Sequence, residues 1–212
     1  MTGSDSFPRC VRDVGGLAMT TDAAPFQRGI SGQAPCPATR TIGVAIPIPE
    51  PWASQLTERR AAAGDPQAAN VPAHLTLVGP TQITDEPLSD IEEHLCRVAA
   101  DHSTFTLHLR GTGTFRPVSD VVFIAVVAGI SECEVLERAL RTGPLDRELR
   151  FPYHPHVTVA HDVDGAIGQE RLDQVFEDMA GFEARFQVSC FTLYEHGADG
   201  CWRPRRDFPL GG

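Results

Sequence analysis

Ile42, Val44, Ile46 and Ile48 fall at every second position between smaller or polar neighbours, a spacing that predicts a half-buried strand beginning at Thr41. Proline at 51 and glycine at 64 bracket a helix over residues 51–63, with proline in the first turn and glycine past the end. A short strand over 75–78 follows. After Asp85 and Pro87, the helical recurrence of Leu88, Ile91, Leu95 and Val98 predicts a second helix. Phe105, Leu107 and Leu109 alternate with polar residues in a strand that is expected to end in a turn at 111–113.

The second half runs through the same order. Residues 121–127 form an apolar strand, Ser131 and Glu134 have capping-box spacing for a helix through Leu140, and Gly143-Pro144 ends it. Residues 156–160 read as a short strand, and Leu172, Val175, Phe176 and Met179 as a helix stopped by Gly181. Two closing strands are expected over 186–194 and 201–208. Residue 41 corresponds to 120, 74 to 156 and 104 to 185, offsets of 79, 82 and 81, so one period relates the halves. The fold class that follows is α+β: a bilobal, duplicated arrangement of two antiparallel-rich sheets flanked by helices around a central cleft. Its domain runs over 41–212, with lobes near 41–119 and 120–212 and strand exchange between them left open. Residues 1–40 lack sustained periodicity and read as a flexible leader, within which Met19 is an alternative start.

Charge narrows the partners. A net charge of −10 disfavours a long nucleic-acid duplex, so any nucleic-acid substrate should be small or terminal. All 18 basic residues are arginine, which removes Schiff-base chemistry, a phosphate-loop lysine and a lysyl-nucleotide intermediate. The six cysteines, at 10, 36, 96, 133, 190 and 201, have neither zinc-ribbon nor disulfide-framework spacing. With no apolar run long enough to span a bilayer and no signal-peptide pattern, the expectation is a cytoplasmic protein without membrane partners. The oligomeric state is not legible.

Both halves place His-x-Thr on the same short strand, as His74-Leu75-Thr76 and His156-Val157-Thr158. Alternation along a strand sends each His and its Thr to one face while Leu75, Leu77, Val157 and Val159 pack beneath. Two such pairs across a cleft suit attack on a phosphodiester. A neutral imidazole takes a proton from water, an imidazolium supplies one to the departing oxygen, and the hydroxyls bond the charged phosphoryl oxygens. The scheme calls for no metal and no cofactor. A third copy, His102-Ser103-Thr104, falls at a helix-to-strand junction outside the repeat and reads as structural.

The segments PAHLTLVGP and YHPHVTVAHD resemble the two signatures of the 2H phosphoesterase superfamily, which includes the 2′-5′ RNA ligase-like proteins. The resemblance covers about residues 41–210 and extends to FTLHLRGTGTF and GCWRPRRDFPL. It implies a bilobal fold and metal-independent opening of 2′,3′-cyclic phosphates at RNA 3′ ends or in small cyclic nucleotides. By the same resemblance His74 and His156 are catalytic, and Thr76 and Thr158 hold phosphate. One position departs from the pattern: many bacterial members that act on RNA ends carry arginine directly after the second motif's alanine, where Ala160 is followed by His161.

Other residues admit two readings. Phe115 and Tyr153 can stack a nucleobase or pack at the core's rim. His154, His156 and His161, with His74, can also be read as imidazole ligands of a metal, with Asp162 and Asp164 nearby, against a plainer reading of His154 and His161 as partly exposed polar residues. Arg203, Arg205 and Arg206 can attract a second phosphate or lie on a solvated edge strand. A non-catalytic nucleotide- or phosphate-binding module of the same fold is the alternative function.

Overall fold

The computed structural model describes residues 39–84, 87–161 and 168–211. The leader expected over 1–40 lies, but for its last two residues, outside the described residues, as do Asp85, Asp162 and Asp164. Eight strands and four helices follow in the order β1 (Arg40–Pro47), α1 (Trp52–Ala63), β2 (His74–Ile83), α2 (Leu88–Ala100), β3 (Phe105–Thr114), β4 (Val121–Ala128), α3 (Ile130–Leu140), β5 (His156–His161), α4 (Gly168–Asp178), β6 (Glu183–Val188), β7 (Cys190–His196) and β8 (Trp202–Pro209). A single 3-10 turn over Gly143–Leu145 follows α3, where Gly143-Pro144 ends the helix.

The strands make two antiparallel four-stranded sheets, ordered β2-β1-β7-β8 and β5-β4-β3-β6. Each sheet draws on both halves of the chain: β3 sits in the second sheet, β7 and β8 in the first. Helices cross over as well. The first sheet is backed by α2 and α3, the second by α1 and α4, so each has one helix from each half. The architecture is the α+β, two-sheet arrangement expected from the repeat.

Alternation decides which faces are buried. Leu75, Leu77, Val157 and Val159 are completely buried, while His74, Thr76, His156 and Thr158 between them stay partly exposed. Beneath lies one apolar core that includes Ile42, Leu56, Ile91, Leu107, Leu136 and Phe208. These branched and aromatic side chains remove area from water at roughly 25 cal/mol per Å².

Three local expectations need correction. The residues expected in one strand over 186–194 form two strands, because the chain leaves the second sheet after Val188 and enters the first at Cys190. The apolar alternation reads through Ser189 and hides the change of sheet. Residues 111–113 are not a turn: β3 continues to Thr114, with an irregularity between Leu109 and Thr112 that absorbs Gly111 at φ +69°. Ser131 does not cap α3. The helix begins two residues earlier than that cap would set it, at Ile130 after Gly129 at φ +93°, where an added Cβ would come within 2.9 Å of the Thr106 carbonyl oxygen.

Candidate active site

The two His-x-Thr strands are equivalent in detail. Each lies at the edge of its sheet, and the two edge strands touch each other. In the first sheet Thr76 pairs with Ala45 and Val78 with Val44, so Leu77 is bulged out. In the second, Thr158 pairs with Phe123 and Ala160 with Val122, which bulges out Val159. The bulge returns the fifth residue after each histidine to the partly exposed face, Gly79 in β2 and His161 in β5. Without it, strict alternation would bury both.

Both imidazoles are held in the same way. Nδ1 of His74 lies 2.7 Å from the Pro72 carbonyl, and Nδ1 of His156 lies 2.7 Å from the His154 carbonyl. A carbonyl can only accept, so Nδ1 carries hydrogen in each ring and Nε2 is left as the lone-pair nitrogen of the neutral form. At His74 that lone pair accepts the Thr76 hydroxyl at 3.1 Å. Burial lowers the pKa of both histidines, opposed in each case by the carbonyl bond. The Arg60 charge lowers His74 further, and the charges of His154 and His74 lower His156 further.

Arg60 fixes the approach to His74. Its guanidinium is buried against Asp65, with Nε 3.0 Å from Oδ2, and donates at 3.1 Å to the Val71 carbonyl three residues before the histidine. The other Asp65 oxygen accepts the Gln67 amide at 2.8 Å. Every polar edge of the buried pair therefore has a partner, the condition under which such a pair is tolerated.

The aromatic candidates separate. Phe115 lies edge-on to His156 with ring centroids 4.9 Å apart, inside a cluster completed by Phe123 and His154. Tyr153 instead packs on the core, and its hydroxyl donates at 3.1 Å to the Thr76 carbonyl. Burial pushes its phenol up, with Cys133 and the acidic groups of α3 acting in the same direction, so it remains a donor. It ties the second half of the chain to the free edge of β2.

The arginine candidates are engaged elsewhere. Arg203 pairs with Asp199, Arg205 with Glu92 and Glu195, and Arg206 with Glu92. Arg116, next to Phe115, meets Asp173 at 2.7 Å. His102 donates from Nδ1 to the Val98 carbonyl at 2.7 Å near the end of α2, a structural role for the third His-x-Thr copy. Among the described residues, no three His, Cys, Asp or Glu side chains converge as ligands for a metal ion.

Residues not singled out from sequence line a cavity of about 180 Å³ beside His74 and Thr76: Gly43, Val71, Val78, Gly79, Tyr194 and Trp202. The repeat carried a signal for one of them. Phe115 and Tyr194 are 79 residues apart, the offset that relates residues 41 and 120.

Two antiparallel four-stranded sheets with four helices match the LigT-like α+β fold. Solved structures bear this out at the level of fold. Escherichia coli LigT complexed with 3′-AMP superposes with TM-score 0.64 at 24% identity, covering 82% of this chain and all of LigT. The TT0787 protein of Thermus thermophilus superposes with TM-score 0.53 at 23% identity, covering 81% and 98%. A candidate phosphoesterase of Bacillus mycoides is 30% identical over 147 residues, 69% of this chain and 84% of that protein. The sequence pattern of the 2′-5′ RNA ligase superfamily matches residues 48–200, and the chain belongs to that superfamily. No described helix is long and apolar enough to cross a membrane.

Proposed function

We propose that the protein is a metal-independent phosphodiesterase that opens 2′,3′-cyclic phosphates, in small cyclic nucleotides or at RNA 3′ ends, with His74 and His156 as acid and base. The observation that carries the reading is the matched pair of imidazoles, each with Nδ1–H on the carbonyl two residues before it and each with a threonine two residues after it. Fixing Nδ1–H makes Nε2 the working nitrogen on both sides. One neutral Nε2 accepts a proton from water as the water oxygen bonds to phosphorus. The other, protonated, gives its proton to the ribose oxygen as the P–O bond breaks, leaving a phosphomonoester. Thr76 and Thr158 donate to the non-bridging oxygens as charge builds on them. In the resting site the Thr76 hydroxyl is satisfied by His74, so it turns to the phosphate when substrate arrives.

Small nucleotides suit this reading, since solved complexes of LigT contain 3′-AMP, NADP+ and ATP. The absence of lysine fits hydrolysis rather than ligation through a lysyl adduct. The test is release of phosphomonoester from a panel of 2′,3′-cyclic nucleotides and a short RNA with a cyclic phosphate end, in EDTA, for wild type, His74→Ala and His156→Ala. Turnover that survives chelation and falls by about 10²-fold or more in each variant supports the mechanism. Nucleotide binding without turnover of any panel member would favour a binding module.

A further inference from the structure

The approximate twofold symmetry of the site fails at one place. Ala45 and Phe123 are equivalent, each being the β-sheet partner of a motif threonine, and Gly79 is equivalent to His161. Around His156 the large side chains are present, and the rings of Phe115, Phe123 and His154 crowd the imidazole. Around His74 the positions equivalent to Phe123 and His161 carry only a methyl group, at Ala45, and a hydrogen, at Gly79. The space so released is the cavity lined by Gly43, Val71, Val78, Gly79, Tyr194 and Trp202.

Its walls have a definite chemistry. Trp202 lies against the backbone of β1, where a Cβ on Gly43 would sit 3.2 Å from the indole ring. The Trp202 amide donates at 2.8 Å to the Asn70 carbonyl, which fixes β8 against the segment leading to His74. Tyr194 follows Thr192 by two residues, and Thr192 and Gly113 are the equivalent partners of Ala45 and Phe123, so Tyr194 is the counterpart of Phe115. No Asp, Glu or Arg contributes to the lining, and burial keeps the Tyr194 phenol protonated.

We propose that this cavity is the subsite for the nucleobase attached to the scissile phosphate, with Trp202 and Tyr194 as its ring contacts. The proposal rests on the phosphodiesterase reading of the two His-x-Thr pairs and adds the polarity of the bound substrate: phosphate between the histidines, base on the His74 side. Apart from His74 and Thr76 of the motif itself, the lining is uncharged and rich in aliphatic and aromatic carbon, which favours a planar ring without reading its edge, so different bases are accepted through stacking.

Two measurements test it. The chain contains two tryptophans, and Trp52 is stacked on Phe186 away from the cavity, so Trp52→Phe leaves Trp202 as the only indole. Saturable change of Trp202 fluorescence with 3′-AMP, but not with ribose 5-phosphate or inorganic phosphate, is expected. In Trp202→Leu, kcat/KM for 2′,3′-cyclic AMP relative to base-free glycerol 1,2-cyclic phosphate should fall about tenfold or more, the usual range for losing one stacked base. Turnover of the nucleotide with no fluorescence response, or an unchanged ratio in Trp202→Leu, overturns the subsite. A saturable response in a protein that turns over no cyclic phosphate supports the subsite and overturns the hydrolase reading.

Discussion

Replacing Tyr153 by phenylalanine removes one oxygen and keeps the ring in its place against the core. The oxygen donates at 3.1 Å to the Thr76 carbonyl, on an edge strand whose other side alone is held by β1. Leaving a partly buried acceptor without its donor costs about 1–3 kcal/mol. For a chain of this size that lowers Tm by roughly 2–4 °C per kcal/mol. The functional consequence follows from position, because Thr76 supplies one proposed phosphate contact and His74 stands two residues before it. Misplacing a reacting group by about 1 Å can cost about 10²-fold, so a loosened edge strand should lower kcat by about tenfold with little change in KM. Thermal melts and steady-state kinetics on 2′,3′-cyclic AMP measure both effects. A variant with wild-type Tm and kcat would refute the role of strut. A raised KM with unchanged kcat would instead place the Tyr153 hydroxyl in contact with the substrate.

Because burial lowers both histidines, the form with one imidazole charged and one neutral is most populated on the acid side of 6.5; kcat/KM should give a bell centred below pH 6.5, and a maximum above pH 7 would overturn the assignment. The same shifts act on stability: the unfolded imidazoles bind protons near 6.5 and the folded ones only at lower pH, so stability is retained above 6.5 and falls as pH drops toward the folded values. The double variant His74→Asn/His156→Asn should flatten that slope in melts between pH 5 and 8. Thr76→Val and Thr158→Val each remove a hydroxyl donor from the proposed phosphate site and should lower kcat by about 10²-fold, read in single-turnover assays. Arg60→Met leaves Asp65 buried without its partner and should destabilise by about 3–5 kcal/mol in urea melts.

The paired motifs were legible because they follow local rules. Period-2 burial around His74 and His156, and the helical spacing of Leu88, Ile91, Leu95 and Val98, are set by neighbours a few residues away. Non-local features were not. Ser189, where the chain passes between sheets, lies between Val188 and Cys190, which continue the apolar alternation across it, since both sheets present a buried face to the same core. Tyr153 reads as an amphipathic ring near a motif, and only the approach of β2 gives its hydroxyl a backbone acceptor. The cavity beside His74 was hidden for another reason: Ala45, Gly43 and Gly79 act by what they lack, and small residues in a strand pattern announce nothing until the partner strand is known.

Exchange of strands explains how a duplicated chain builds one site instead of two. If each half kept its own strands, each His-x-Thr strand would lie in a sheet built from one half alone, free to move relative to the other. Here β3 completes the second sheet, while β7 and β8 return to the first, and α1 and α3 back the opposite sheets. The motif strands remain at the edges, where a strand is not covered by a further neighbour and can meet its counterpart. Edge position normally leaves backbone groups unpaired, and Tyr153 answers part of that need at Thr76. The price of exact symmetry would be two identical surroundings for two imidazoles. Substituting Ala45 for the counterpart of Phe123, and Gly79 for that of His161, breaks the equivalence without moving either histidine. Equal tools thereby face unequal space, as the proposed substrate, with phosphate at one end and a ring at the other, requires.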